Sequence, residues 1–311
     1  RQPAKSGGLK RKGAGAVVNV IPLSSTIGAE ITGVDLSKPL SEDQFEELSA
    51  VFHRYLVIFF PDQRLTTTEH RDFATRFGEL DKPIFAPPFE TPAVEGHPEI
   101  YQLIKEPDSN SINIGGFWHA DAPHREKPNL ASIAYVREAP AYGGDTLFAN
   151  LYAAYASLSP GMRKLVGALR AVHTGAMPYG GKAVRSAPVS RGRASASDAF
   201  DFEMTEVEHT HIETVHPVVR RHPDTGRKSL YVNRGFTSHF EGWTQTESFP
   251  LLNFLFEHAE RPEFTCRYRW SAGSAGIWDN RCVLHYALND YRGQRRVLHR
   301  ISVNEPSRPT A

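Results

Sequence analysis

The feature that most restricts the fold is a succession of short β-like runs beyond residue 100, interrupted by two helical stretches. The helical stretches span residues 151–171 and 247–260. Many short strands with few helices are typical of a β-barrel or β-sandwich core with helices packed around it. The sequence therefore predicts a mainly β fold with helices, of the α+β class. The runs cover residues 132–136, 146–149, 229–233, 265–270, 275–278 and 297–303.

The N-terminal third predicts strands within residues 17–35 and a helix that begins after Ser41. Ser41 is a good N-cap, and the acidic residues behind it suit the positive end of the helix dipole. A buried strand at 57–60 and a second helix at 67–77 follow, the latter ending at Gly78.

The segments outside this pattern define the expected domain organisation. Residues 1–15 are rich in Gly, Lys and Ala and predict a flexible basic tail, so 16–308 is expected to be a single domain. Residues 176–208 hold Ser, Arg, Gly and Ala with little apolar periodicity, and a loop this long is typical of a lid or a mobile insertion.

Composition excludes several classes of protein. A net charge of +1 is not the basic excess of a nucleic-acid binder. No run approaches the ~20 apolar residues that cross a bilayer, so no membrane partner is expected. The only two cysteines, Cys266 and Cys282, indicate a reducing compartment, and the cytoplasm is the expected location. Nothing beside Cys282 in sequence would activate a thiolate, so it is expected to lie in the core.

The stretch that carries chemistry is residues 117–121, which read FWHAD. His119 and Asp121 leave an extended backbone on the same face and can reach one metal ion. The best third ligand is His285, in the later segment WDNRCVLHY. Two histidines and one carboxylate occupy one face of an octahedral iron(II) and leave three positions for a 2-oxo acid and O2.

Two arginines follow the distal histidine in the segment RRVLHRIS at 295–302. On a strand, Arg296 and Arg300 lie on the same face. A buried arginine needs an anion, and its planar fork fits a carboxylate. The far carboxylate of 2-oxoglutarate and an acidic substrate are both candidates, and Arg300 has a structural alternative as an ion-pair partner of an acid such as Asp279.

Further motifs are distributed from about residue 20 to the last strand. They are residues 27–36 (IGAEITGVDL), 76–80 (RFGEL), 118–121 (WHAD), 143–147 (GGDTL), 216–219 (HPVV), 231–233 (YVN), 278–280 (WDN), 285–286 (HY) and 294–296 (QRR). In these motifs the chain resembles the taurine dioxygenase / 2,4-dichlorophenoxyacetate dioxygenase (TauD/TfdA) family. That resemblance implies a double-stranded β-helix, which is a cupin-like jelly-roll barrel, and an iron(II)- and 2-oxoglutarate-dependent dioxygenase.

The resemblance also implies roles for individual residues. His119, Asp121 and His285 match the iron ligands of the family. Thr146 and Arg296 match the residues that hold the far carboxylate of the cosubstrate 2-oxoglutarate.

For the substrate, the resemblance implies a small organic anion and assigns three residues to its binding site. Arg300 matches a position that contacts the substrate's anionic group, and Phe236 and Tyr179 match positions that line the pocket. By analogy with the family, the chain is expected to form a homo-oligomer, a dimer or a tetramer.

Departures from taurine dioxygenase indicate a different substrate. Pro83, Ala86 and Gly115 stand where that enzyme has a histidine, a tyrosine and an asparagine, so the pocket is expected to be larger and less polar. Residues 85–89 and Phe117 could line a site for a bulkier apolar group. We expect hydroxylation next to a heteroatom of an aryloxyalkanoate or an alkyl sulfonate or sulfate, with release of succinate and CO2.

Three alternatives remain open at this level. Radical chemistry could be redirected to desaturation or cyclisation, whereas halogenation is disfavoured because halogenases of this kind lack the carboxylate that Asp121 provides. A zinc metallohydrolase would leave Arg296 and Arg300 unexplained and lacks an evident general base. A non-catalytic small-anion binder need not retain all three metal ligands.

Overall fold

The computed structural model describes residues 18–82, 93–109, 115–176 and 212–311. The predicted tail at 1–15 and all but Ala176 of the predicted lid at 176–208 lie outside these ranges, so both stay predictions. No helix of the described ranges is long and apolar enough to cross a membrane. The candidate pocket residues outside the described ranges are Tyr179, Pro83, Ala86 and residues 85–89.

The largest sheet in the described ranges has eight strands. Across the sheet the order is β1 (Asn19–Pro22), β2 (Ala29–Thr32), β3 (Val57–Phe60), β14 (Ala275–Asp279), β6 (Asn129–Glu138), β16 (Arg296–Asn304), β5 (His97–Lys105) and β4 (Ala93–Val94). All neighbours are antiparallel except for one parallel pair, β2 and β3. The long strand β16 pairs with β5 on one side and with β6 on the other.

Two three-stranded sheets and one hairpin complete the β-structure of the described ranges. The first sheet has the order β13 (Thr265–Tyr268), β7 (Thr146–Asn150) and β15 (Val283–Ala287). In the second sheet the order is β12 (Thr237–Phe240), β8 (Arg170–Thr174) and β9 (Glu213–Pro217), and the hairpin joins β10 (Val219–Arg221) to β11 (Lys228–Leu230).

The helices begin where the sequence places capping residues. Ser41, Thr66 and Thr244 each accept a hydrogen bond from the backbone N–H three residues on, and each forms a capping box with the side chain there. The α-helices of the described ranges are α1 (Glu42–Tyr55), α2 (Thr67–Thr75), α3 (Leu151–Ser157), α4 (Pro160–Val166) and α5 (Gln245–Ala259), with a 3-10 helix at Pro262–Phe264.

Strand β3 shows why the large sheet is buried on both faces. Its alternate residues Ile58 and Phe60 pack into the cluster that includes Leu48 and Phe52 of α1. Val57 and Phe59 point the other way, and Phe59 stacks on Tyr268 of β13 with ring centroids 3.6 Å apart. The large sheet therefore has helices on its outer face and the β13–β7–β15 sheet on its inner face, which confirms the predicted helix-decorated β-barrel.

One predicted helix is wrong in its extent. Residues 151–171 form two short helices, α3 and α4, followed by the first residues of strand β8. Pro160 lacks the N–H that would continue α3, and Ser159 caps a new helix by accepting a hydrogen bond from Met162 N. The helical propensity of the segment is real, but the proline divides it.

Candidate active site

Strand pairing brings the two histidines of the candidate metal site together. The N–H of His119 donates to the carbonyl of His285 at 3.0 Å, and the N–H of His285 donates back at 2.8 Å. The Nε2 atoms of both histidines lie 3.7 Å from Asp121 Oδ1. All three candidate ligand atoms lie within 4.8 Å of one another. Each distance of 3.7 Å is shorter than the about 4.2 Å that two bonds of about 2.1 Å to one ion can span.

The protonation of the histidines suits a metal ligand. His119 Nδ1 lies 2.8 Å from the carbonyl oxygen of Phe117, and because that oxygen only accepts, the proton belongs on Nδ1 and the Nε2 lone pair is free. Burial lowers the pKa of His119 well below its ordinary value and that of His285 to about 3. Two neutral imidazoles and a carboxylate form the donor set that non-haem iron(II) prefers, so the residues fit the ion.

Two residues that sequence analysis missed hold the carboxylate of Asp121. Ser132 Oγ donates to Asp121 Oδ2 at 2.6 Å, and Asn280 Nδ2 donates to Ser132 Oγ at 3.1 Å. The N–H of Asp121 in turn donates to Asn280 Oδ1 at 3.2 Å. These hydrogen bonds engage Oδ2 and direct Oδ1 towards the histidines.

Gly115 leaves room for His119. Its φ of +78° is unfavourable for a residue with a side chain, and a Cβ atom there would lie 2.8 Å from His119 Cε1. The glycine at this position, noted above as a departure from taurine dioxygenase, therefore permits the imidazole to sit where it does.

An apolar wall lies beside the three candidate ligands. The ring of Phe117 is 4.8 Å from that of His119, and the ring of Phe236 is 6.4 Å from it. His124 stacks on Phe236 at 5.3 Å, with the two rings nearly parallel. Gly235 makes space for this arrangement, because a Cβ there would lie 2.2 Å from a ring carbon of Phe117. The structure thus brings Phe117 and Phe236 to the candidate metal site.

Thr146 begins β7 on the opposite sheet and is buried. The indole Nε1 of Trp270 donates to Thr146 Oγ1 at 2.9 Å. Because the hydroxyl oxygen already accepts this bond, its own proton remains available for an anion. Trp270 is a third residue that sequence analysis did not single out.

Arg296 and Arg300 are both buried on the inner face of β16. Arg300 Nη2 contacts Asp121 Oδ2 and donates to Ser132 Oγ at 3.0 Å, and its guanidinium lies 5.1 Å from the ring centre of Trp278. Arg300 thus faces the candidate metal site. The alternative of an ion pair between Arg300 and an acid is met by Asp121 and not by Asp279, which is bound to Arg281.

Asp279 belongs to a closed ion-pair network with His222 and Arg281. Its Oδ1 accepts from Arg281 Nε at 2.8 Å, and its Oδ2 accepts from Arg281 Nη2 at 2.8 Å and lies 2.9 Å from His222 Nε2. The ligand atoms of His222, Asp279 and Cys282 lie close enough together to hold a metal ion. However, the carboxylate of Asp279 is fully engaged, and burial raises the pKa of the Cys282 thiol well above its ordinary value. The network is structural, and Cys282 lies in the core, as predicted.

The fold and the site define the class: a jelly-roll enzyme with a buried two-histidine, one-carboxylate cluster. Residues 19–302 match the model of the family described as "Taurine catabolism dioxygenase TauD, TfdA family". The chain belongs to this family and is a 2-oxoglutarate-dependent dioxygenase, an enzyme class that uses iron(II), 2-oxoglutarate and O2. The family and cofactors expected from the sequence are thereby confirmed.

Individual relatives cover almost the whole chain. An "Alpha-ketoglutarate-dependent sulfate ester dioxygenase" of Pseudomonas putida is 35% identical over 289 residues, covering 92% of this chain and 89% of the relative. An "Alkylsulfatase" of Acinetobacter baylyi is 35% identical over 282 residues, covering 90% and 83%. The crystal structure of a taurine dioxygenase from Burkholderia xenovorans superposes with a TM-score of 0.75 at 34% identity, covering 94% and 93%. These matches confirm the jelly-roll fold.

Proposed function

We propose that this dioxygenase hydroxylates the carbon next to the ester oxygen of an alkyl sulfate. The observation that carries the proposal is the pairing of a buried cation, Arg300, with the apolar wall of Phe117 and Phe236 beside the candidate metal site. A sulfate monoester with an alkyl chain has this polarity, a compact anion at one end and an apolar body. The two relatives at 35% identity, which are named for sulfate esters, support the same class.

The residues take the following roles in the proposal. His119, Asp121 and His285 hold iron(II) through Nε2, Oδ1 and Nε2, and the spacing of these atoms supports it. Thr146 and Arg296 hold the far carboxylate of 2-oxoglutarate, which the free hydroxyl proton and the buried guanidinium support.

The contribution of the chain to the reaction is mainly positioning. When bound, iron(II) with 2-oxoglutarate and O2 supplies the oxidising chemistry and yields succinate and CO2. Arg300 anchors the sulfate group, and Phe117 and Phe236 direct the alkyl chain so that the carbon bearing the ester oxygen faces the metal site. The hydroxylated carbon then carries both a hydroxyl and the sulfate ester. Its C–O bond to sulfate breaks as the hydroxyl proton leaves, which gives an aldehyde and inorganic sulfate.

The experiment that tests the proposal is turnover by iron-loaded protein with a panel of anions. The panel holds alkyl sulfates of increasing chain length, alkyl sulfonates, taurine, and aryloxyacetates and aryloxypropionates. We expect alkyl sulfates to give succinate, aldehyde and sulfate in equal amounts, well above the background without substrate. Succinate formation that only an aryloxyalkanoate stimulates would replace the proposed substrate class.

Three variants complete the design. Arg300→Gln is expected to raise KM for the alkyl sulfate, whereas Arg295→Gln serves as the matched control because Arg295 is exposed and pairs with Glu106 at 3.0 Å on the other face of the strand. Asp121→Ala is expected to remove substrate-dependent succinate formation. An alkene or cyclic product in place of the aldehyde would indicate redirected radical chemistry, and ligand binding without turnover would indicate a non-catalytic anion binder.

Three earlier assignments stay predictions. Tyr179 is proposed to line the substrate pocket, and turnover of the alkyl sulfate panel by Tyr179→Phe tests this assignment. We also propose a homo-oligomer, a dimer or tetramer, which light scattering coupled to size-exclusion chromatography tests. A cytoplasmic location is the third, and cell fractionation tests it.

A further inference from the structure

Lys105 lies directly across from Arg296 in the large sheet. Strands β5 and β16 are antiparallel, and the two residues are register partners. Residues that face each other in this way project from the same side of the sheet with Cβ atoms about 5 Å apart. Farther along, Tyr101 is the partner of Arg300, whose guanidinium lies 5.6 Å from the ring centre of Tyr101. Lys105 therefore belongs to the inner face, beside the arginine proposed to hold 2-oxoglutarate.

Lys105 and Arg296 are buried without a compensating acid. Both side chains are less than a tenth exposed, and no carboxylate of the described residues forms an ion pair with either of them. Arg296 Nε also has no hydrogen-bond partner in the described ranges. By contrast, Arg295 on the outer face pairs with two acids, Glu106 and Glu138. Like charges opposite each other destabilise a strand pair, so an anion between them is needed to stabilise the arrangement.

The contacts of Lys105 place its ammonium group on the side of Thr146. Its Nζ contacts Asn289 Oδ1 and lies 4.8 Å from the ring centre of Tyr291. The guanidinium of Arg296 lies 6.0 Å from the same ring centre. Asn289 closely follows β15, whose residue Ala287 is the register partner of Thr146. Lys105 thus reaches from the large sheet towards the strand that carries Thr146.

We propose that Lys105 is a second cation for the far carboxylate of 2-oxoglutarate, acting with Arg296 and Thr146. The inference rests on the proposed function for the cosubstrate site and extends it. A lysine and an arginine on one carboxylate provide charge-assisted hydrogen bonds that a 2-oxo acid without a far carboxylate cannot use. Lys105 is therefore a specificity-determining residue, which favours a dicarboxylic cosubstrate over a monocarboxylic one.

The electrostatics of Lys105 agree with this role. Burial lowers the pKa of its ammonium group, and the charges of Arg292 and Arg296 lower it further. A bound 2-oxoglutarate dianion would compensate the positive charges that lower this pKa. The difference in ion pairing around this end of β16 has the same explanation, because Arg295 pairs with Glu106 and Glu138, whereas no described acid pairs with Arg296 or Lys105.

The test is the binding of two 2-oxo acids to Mn(II)-loaded protein, which does not turn over, measured by titration calorimetry. The ligands are 2-oxoglutarate and 2-oxovalerate, which has the same carbon chain without the far carboxylate. We expect Lys105→Met to weaken 2-oxoglutarate about tenfold or more and to leave 2-oxovalerate unchanged. Lys105→Gln, which retains a polar group for Asn289, should show the same selective loss.

Matched variants make the outcome unambiguous. Arg295→Met, a cation removed from the outer face of the same strand, should change neither affinity. If Arg296→Met selectively weakens 2-oxoglutarate but both Lys105 variants bind it like the unmodified protein, the role of Lys105 is refuted while the proposed cosubstrate site stands. If the unmodified protein binds the two acids equally and Arg296→Met has no effect, the proposed site itself fails. Equal weakening of both acids by the Lys105 variants also refutes the inference.

Discussion

Ser132 donates a 2.6 Å hydrogen bond to one carboxylate oxygen of Asp121, while the other oxygen faces both His119 and His285 at 3.7 Å. The two oxygens of one carboxylate therefore have different functions. Ser132 lies in the middle of β6, paired with Trp278 of β14 on one side and with Ser302 of β16 on the other. The hydrogen bond that orients the candidate metal ligand thus comes from a strand that is paired on both sides.

The first prediction concerns this hydrogen bond. Ser132→Ala removes the donor to Asp121 Oδ2 and frees the carboxylate to rotate, so affinity for Mn(II) or Fe(II) should fall about 10- to 100-fold. Metal titration by calorimetry measures the effect. Ser248→Ala is the control, because Ser248 is equally buried but bonds to Phe240 N and the Thr244 carbonyl. Equal metal affinity in the two variants would show that Ser132 does not orient the ligand.

The second prediction concerns the hydrogen bond from Trp270 to Thr146. Trp270→Phe removes the indole N–H that directs the Thr146 hydroxyl, so KM for 2-oxoglutarate should rise about 3- to 10-fold with little change in kcat. The Trp270 atoms nearest a Cβ at Gly276, Cη2 at 2.7 Å and Cζ3 at 3.1 Å, belong to the part of the indole that phenylalanine lacks, so the variant also loses packing there.

A double-mutant cycle with Thr146→Val separates this role from packing. If Trp270 acts through the threonine, the double variant should be no worse than Thr146→Val alone. Fully additive losses would mean that Trp270 affects the cosubstrate by another route.

The candidate metal ligands could be predicted because the residues that indicate them are close in sequence or lie in motifs of the family. His119 and Asp121 alternate on an extended segment, and the segments around them carry the family resemblance. Ser132 lies in none of these motifs, and Asn280 lies in the WDN motif at 278–280, but neither sequence context indicates a contact with Asp121. Their partners are remote in sequence, Ser132 from Asp121 by 11 residues and Asn280 from Ser132 by 148, and only the strand register brings them together.

The elements that sequence analysis missed share a physical reason. Strand β5 reads HPEIYQLIK and β8 reads RAVHT, and both contain buried polar residues and lack a clean alternation of buried and exposed positions. Their strand conformation is imposed by pairing with β16 and with β9. Lys105 could not be placed beside Arg296 for the same reason, since the register of β5 is not readable from its own residues.

The third prediction concerns the network around Asp279. Asp279→Asn removes the charge that compensates the buried Arg281, so the free energy of unfolding should fall by about 3 to 5 kcal/mol. Urea denaturation measures it. Arg261→Ala, which breaks an exposed pair with Glu263, should cost less than about 1 kcal/mol. If a chelator destabilised the unmodified protein but not Asp279→Asn, a metal would occupy this network and the structural interpretation would be wrong.

The last prediction is a dependence of stability on pH that comes from His70. This histidine is fully buried beside Tyr135, and burial, followed by the charges of His299 and Arg137, lowers its pKa to about 3. The unfolded chain takes up a proton on this residue near its ordinary pKa of 6.5, whereas the folded chain keeps it neutral. The stabilising contribution is therefore complete above pH 6.5 and is lost as the pH falls from 6.5 towards 3.

Each such group contributes a slope of up to about 1.4 kcal/mol per pH unit within that window. Urea denaturation of the metal-free protein between pH 7 and pH 4.5 should show a shallower decline for His70→Gln than for the unmodified chain. The remaining histidines are present in both proteins, so their contributions cancel in the difference. Parallel curves would show that His70 takes up its proton equally in the folded and unfolded states. The lowered pKa of His70 in the folded protein would then be wrong.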